Sequence, residues 1–373
     1  MVGRVRRLAS LTLLAASGAA VAGTAPPPDA DALSRSLGRA FVAQSQHVGL
    51  SIGVIQGGDQ KQFHFGTTDR TLRHAPGPDT IYELASLTKT YTGLLLATAV
   101  LEHKLALDDD VRRFLPPACQ GLSFNGRAIR LVDLANHTAG LPKNVPAFVA
   151  GATPPQLLKQ LGVPSREQFL AQLCSGRLEH PRGDGFAYSN AGSQLLGIVL
   201  EQVYGSPYDE LIKRFFRVRL TMRDTVTEVR AEDLPRVAMR YDARGVAMPG
   251  LSFWAKLPAA AYLKSTIDDQ LRYLRWNLDE SDPVVALAHR VSYRGTDERG
   301  DDIGLAWFVG RQHGQRLVRH AGGSFGSTSY EALYPDAGIA LVLLANDADP
   351  ATERSLIAIA DQLAAALLAG TRK

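Results

Sequence analysis

The chain has 373 residues, 45% hydrophobic and 21% charged, with a formal net charge of +4 at neutral pH. That balance excludes a disordered or fibrous chain and leaves room for one large core or two lobes. With 41 Lys and Arg against 37 Asp and Glu, there is no basic excess of the kind that tracks a phosphate backbone, and no nucleic-acid partner is expected.

Arg4, Arg6 and Arg7 precede an apolar stretch over residues 8–21, and Ala20-Val21-Ala22 has the small-x-small form of a signal-peptidase site. Residues 1–22 therefore read as a secretory signal peptide and 23–30 as a Pro- and Ala-rich linker. Loss of the leader removes three arginines and leaves a formal charge of about +1. No cysteine stands directly after the cleavage point to carry a lipoprotein anchor, and no later stretch is apolar for long enough to span a bilayer, so a periplasmic or secreted protein is expected. Cys119 and Cys174 can pair in an oxidising compartment, but their spacing does not decide whether they do.

A helix is predicted over 32–46, then strands over 50–56 and 62–66 with a turn at Gly57-Gly58-Asp59. A strongly apolar helix follows over 86–102. Asp108 to Asp110 signal another helix start before 111–115. Helices and long loops continue to about residue 250, among them a helix over 190–203 closed by Gly205. Strands are predicted over 303–309, 317–320, 328–334 and 339–344, and a long apolar helix over 351–368. Strands at both ends with helices between imply an α+β fold. Residues 31–78 and 255–373 would build an antiparallel sheet flanked by the terminal helices, with an all-helical lobe, 79–254, inserted. The active site is expected in the cleft between the lobes.

Three short motifs carry chemistry. Ser86-Leu87-Thr88-Lys89 puts a serine and a lysine on one face of a helix start. A serine hydroxyl attacks only when something takes its proton, and a lysine can do so if burial or nearby charge lowers its pKa. Tyr188-Ser189-Asn190 offers a phenol, expected to be acidified by neighbouring cations and to relay protons, and an amide able to bond both the lysine and a substrate. His320-Ala321-Gly322-Gly323 closes a predicted strand. Its glycines admit substrate to the backbone, and the N–H groups of Gly323 and Ser86 could form an oxyanion hole. Each motif also has a plain structural reading: an N-cap serine with a solvated lysine, a core tyrosine beside a capping asparagine, a histidine before a glycine turn. His47-Val48-Gly49 repeats the third pattern. The combination decides: one Ser-x-x-Lys and one Tyr-x-Asn exist in the chain, and the three motifs follow in order with about a hundred residues or more between each.

With these motifs the sequence resembles the serine β-lactamase and penicillin-binding-protein superfamily, in its class C-like branch. The resemblance runs through Ile81-Tyr82, Leu107-Asp108, Phe114-Leu115-Pro116, Leu131 to Pro142, Gly304 to Trp307 and Gly322-Gly323. The stretch from Phe124 to Pro142 is similar to the peptidoglycan carboxypeptidase/endopeptidase members. The resemblance implies catalytic roles for Ser86 as acylated nucleophile, Lys89 as proton acceptor and Tyr188 as proton shuttle or base. It implies substrate-binding roles for Asn190, His320, Gly322 and Gly323. His137 and its neighbours look like a structural signature of the family. No cofactor is implied, and the substrate would be a small molecule or a peptidoglycan peptide.

The third motif departs from the class C pattern, which usually has Lys-Thr-Gly there. His320 would be near half charged at neutral pH, and Ala321 removes a hydroxyl that helps bind a substrate carboxylate. The resemblance therefore implies peptidase or carboxylesterase activity ahead of strong β-lactamase activity, with a D-aminopeptidase or a slow-turnover penicillin sensor as alternatives. If His320 must be charged, kcat/KM falls as pH rises through its pKa. Two other hydrolase classes fit poorly. Gly322 to Gly326 matches a Gly-x-Ser-x-Gly elbow around Ser324, but no histidine follows it to complete an α/β-hydrolase triad. No His-Glu-x-x-His or similar cluster offers metal ligands, so no metal is expected.

Overall fold

The computed structural model describes residues 29–148, 152–153, 156, 164–176, 178, 185–248, 255–295 and 300–370. The signal peptide read over 1–22, and the linker up to residue 28, lie outside them. Helix α1 (Ala30–Val42) begins two residues before its predicted start, because the Asp29 side chain caps it by accepting from Asp31 N at 3.0 Å.

Strands β1 (Gly49–Gln56) and β2 (Asp59–Gly66) form the expected hairpin around Gly57. The C-terminal region supplies β3 (Asp302–Ile303), β4 (Phe308–Gln312), β5 (Gln315–Gly323), β6 (Thr328–Tyr334) and β7 (Ile339–Ala345). All seven join one antiparallel sheet in the order β2-β1-β7-β6-β5-β4-β3, so the N-terminal hairpin docks on the last strand of this sheet in chain order. Both faces of the central strands are buried. On β7, Ile339, Leu341 and Leu343 pack with α1 and the C-terminal helix (Pro350–Gly370), while Ala340, Val342 and Leu344 face the opposite core. The two-residue alternation of a strand thus places apolar side chains in two layers.

The second layer contains α2 (Thr88–Leu101), α3 (Leu131–Ala135), α4 (Arg166–Ser175), α5 (Asn190–Tyr204), α6 (Tyr208–Ile212), α7 (Ile267–Asn277) and α8 (Pro283–His289). Helix α2 is buried on all sides over Thr88 to Ala97 and runs through the centre of this core. Gly205, in the left-handed conformation at φ 61°, closes α5 as expected. Cys119 and Cys174 form a disulfide that ties the short turn Pro117–Cys119 to α4. Among the described residues no helix is long and apolar enough to cross a membrane.

One predicted strand is corrected. The run 303–309 is not continuous: residues 304–307 leave the sheet between β3 and β4. Leu305 N bonds the Ala288 carbonyl at 2.8 Å and Ala306 N the Ala135 carbonyl at 3.0 Å. Trp307 is fully buried in the helical core. The run is apolar throughout, so it lacks the alternation that would have told a sheet strand from a segment shared with helices.

Candidate active site

Ser86 lies in a single 3-10 turn, Ala85–Leu87, that leads into α2. Ala85, just before it, is held at φ 48°, a conformation a side chain rarely adopts and one that concentrates at functional sites. The turn is fixed from outside. Leu84 N bonds the Leu263 carbonyl at 2.9 Å, and Ser329 on β6 donates to the Leu84 carbonyl at 2.7 Å. Strand β5 crosses against the turn at Gly322, where a Cβ would overlap the Leu84 carbonyl oxygen and the Ser329 hydroxyl and sit 3.1 Å from Ser86 N. Glycine is required there by this close approach.

Lys89, one turn into the helix, is fully buried. Its Nζ lies 3.1 Å from Ser86 Oγ and donates to Asn190 Oδ1 and the Ala260 carbonyl, both at 2.7 Å. Burial, followed by the charge of Lys143, holds its pKa well below the ordinary lysine value. Tyr188 OH donates to the same Ser86 Oγ at 2.7 Å, and Lys89 Nζ stands 4.8 Å from the Tyr188 ring centre. Ser189 caps α5 by accepting from Gly192 N, which sets Asn190 at the first helical position; Asn190 Nδ2 donates to Asn144 Oδ1 at 2.8 Å.

Two expectations about charge are corrected. Burial raises the Tyr188 pKa instead of lowering it, the Ser86 hydrogen bond only partly offsetting that, so the residue stays a phenol. His320 is 1% exposed, and burial, then the Lys89 charge, pushes its pKa down to about 3. It is neutral at physiological pH, with Nδ1 donating to the Ala321 carbonyl at 2.7 Å. The sequence names the residue types but not the depth at which they sit, and depth sets both values.

Ser86, Tyr188, Asn190, His320 and Gly323 line one cleft of about 420 Å³. Lys89 and Gly322 lie directly behind its wall. Ala321 of the third motif lines it too, and the other walls were missed from the sequence: Lys143, Phe186, Phe308, Arg319 and Glu353. Lys143 and Asn144 directly follow the Leu131 to Pro142 stretch, and that position was their only signal. The Ala260 carbonyl carried none, because any residue supplies one. Ser324, at the centre of the Gly-x-Ser-x-Gly match, sits in the β5–β6 turn, donating to Glu83 Oε2 at 3.2 Å and accepting from Ser327 N at 3.1 Å.

A helix-borne serine facing a buried lysine, between a five-plus-two-stranded antiparallel sheet and a helical layer, is the arrangement of a serine hydrolase. The profile of the family described as Beta-lactamase matches residues 35–366, and the chain belongs to that family. A "Beta-lactamase" of Lysobacter lactamgenus is 27% identical over 261 residues, 68% of this chain and 63% of that protein. The chain thus spans just under two thirds of that relative's length. The "D-alanyl-D-alanine-carboxypeptidase/endopeptidase AmpH" of Escherichia coli K12 is 27% identical over 307 residues, 78% of this chain and 77% of that one. In fold, the chain is similar to a beta-lactamase/D-alanine carboxypeptidase from Yersinia pestis, with a TM-score of 0.77 and 21% identity over 91% of this chain and 99% of the other.

Proposed function

We propose that the protein is an exported serine hydrolase that forms an acyl-enzyme on Ser86, acting on D-Ala-D-Ala-type peptides, β-lactams or both. One observation carries this reading: Lys89 Nζ has three polar neighbours and a strongly lowered pKa. A neutral amine has two hydrogens and one lone pair. The hydrogens go to Asn190 Oδ1 and the Ala260 carbonyl, which leaves the lone pair for the Ser86 hydroxyl. Lys89 therefore takes the hydroxyl proton as Oγ attacks the substrate carbonyl. The tetrahedral oxyanion is received by the backbone N–H groups of Ser86 and Gly323. Collapse breaks the bond to the leaving group, which takes up a proton passed from Lys89 through the Tyr188 phenol. Water then attacks the ester, its proton following the same route, and releases the acid and free Ser86. Asn190 and Gly322–Gly323 position the substrate beside the serine.

Neutral His320 and the absence of a hydroxyl at Ala321 favour a second reading within the same chemistry, a carboxylesterase or D-aminopeptidase, because the third motif then supplies no charge for a substrate carboxylate. A slow-turnover penicillin sensor is the non-enzymatic outcome. Incubation with a fluorescent penicillin and mass mapping of the adduct should label Ser86. Rates on nitrocefin, a D-Ala-D-Ala peptide and a short p-nitrophenyl ester then sort the substrates, and a stable adduct with negligible turnover identifies the sensor. Undiminished hydrolysis in Ser86→Ala would reject the scheme.

A further inference from the structure

His137 stands next to this chemistry without touching the reacting atoms. It is 2% exposed and held at φ 60°. Its backbone carbonyl accepts from Ala187 N at 2.8 Å, and its Nδ1 accepts from Ser189 N at 3.3 Å. These are the residues on either side of Tyr188. Its ring lies against the Tyr188 ring, with centres 4.5 Å apart and planes inclined at 37°. We propose that His137 is the positioning residue for Tyr188, gripping the backbone on both sides of the phenol and backing its ring, so that the hydroxyl stays on Ser86 Oγ. This inference rests on the reading of Tyr188 as the proton carrier.

The chemistry of the contact selects one form of the imidazole. Nδ1 must be the bare nitrogen to accept from Ser189 N, so the hydrogen is on Nε2. A protonated ring would aim an N–H at the Ser189 N–H and bury a cation in the wall of the site. Burial above all holds the His137 pKa well below its ordinary value and keeps that form.

A double-mutant cycle on p-nitrophenyl ester hydrolysis tests this, with rates normalised to sites titrated by a fluorescent penicillin. His137→Phe keeps a ring but removes the acceptor; it should lower kcat by about tenfold or more while KM stays within about threefold. In a Tyr188→Phe background the same substitution should cost less than about twofold, because nothing remains to position. Parent kcat in His137→Phe, or a loss of full size that persists in Tyr188→Phe, overturns the proposal. Should His137→Phe fail to fold, His137→Asn carries the same cycle, since asparagine tolerates positive φ and offers an oxygen to Ser189 N–H but no ring. Ser86→Ala separates the two levels. Activity that survives it removes the acyl-enzyme scheme itself, whereas activity abolished by it with an additive cycle removes only the role of His137.

Discussion

In the proposed scheme the Lys89 amine is made a base by what surrounds it more than by its own nature. It is inserted between a helix and the Ala260 carbonyl, where water does not reach, and a free base is cheaper there than a cation. An arginine of similar reach stays charged in any protein environment. Lys89→Arg is therefore expected to lower kcat/KM by about 10²–10⁴-fold, with labelling of Ser86 by a fluorescent penicillin slowed in parallel. His320 gives an effect of a different kind. Its folded pKa of about 3 lies below the ordinary histidine value of 6.5. Between those values the unfolded chain binds the proton and the folded protein does not. Its contribution to stability is thus complete above the unfolded value and is lost as pH falls toward the folded one. The slope from this one site reaches about 1.4 kcal/mol per pH unit. Denaturant unfolding across this acidic range should show a shallower loss in His320→Gln than in the parent. The kcat/KM profile around neutral pH should keep its shape in the same variant, because the residue it replaces carries no charge there.

At the scale of elements, the site depends on how closely a strand can approach a turn. Strand β5 reaches the Ser86 turn only because Gly322 has no side chain, and Ser329 on β6 fastens the same turn through Leu84. Gly322→Ala pushes a methyl group into backbone, which cannot yield as a side-chain end can. It should cost about 1–3 kcal/mol in denaturant unfolding and lower activity further than the stability loss explains, because the strand carrying His320 and Gly323 must move from the serine. Gly323→Ala is the matched control for folding: a Cβ there meets nothing within 4 Å, so its thermal midpoint should stay near that of the parent. Helix α5 shows a gentler version of the same dependence. Ser189 caps it and thereby fixes Asn190 at the point where its amide faces Lys89.

For the whole molecule, the sheet closes only when the first hairpin pairs with the last long strand, Leu50 opposite Ala345 and Gln56 opposite Ile339. Contacts this distant in sequence form late and at an entropic cost. The disulfide acts on another part of the same problem by closing a loop with a sequence separation of 55 within the helical layer. The Cys119→Ala/Cys174→Ala double variant should lose about 2–4 kcal/mol in denaturant unfolding. Activity per folded molecule should persist, since neither cysteine borders the cleft.

Periodicity made the central strands, α5 with its glycine stop and the long terminal helix legible, because each depends on residues close together in the chain. The spacing of Ser86 and Lys89 was legible for the same reason: one helical turn relates them. The broken 303–309 run was not, since its backbone bonds go to Ala288 and Ala135, which local pattern does not reveal. Nor were the Ala260 carbonyl, the bracing of Tyr188 by His137, or the protonation of Tyr188 and His320. Sequence alone determined which chemical groups the chain owns and which neighbours share a face. Tertiary structure decided which distant groups meet and how far each lies from water, because desolvation and packing are set by everything that surrounds a side chain and not by the residues beside it.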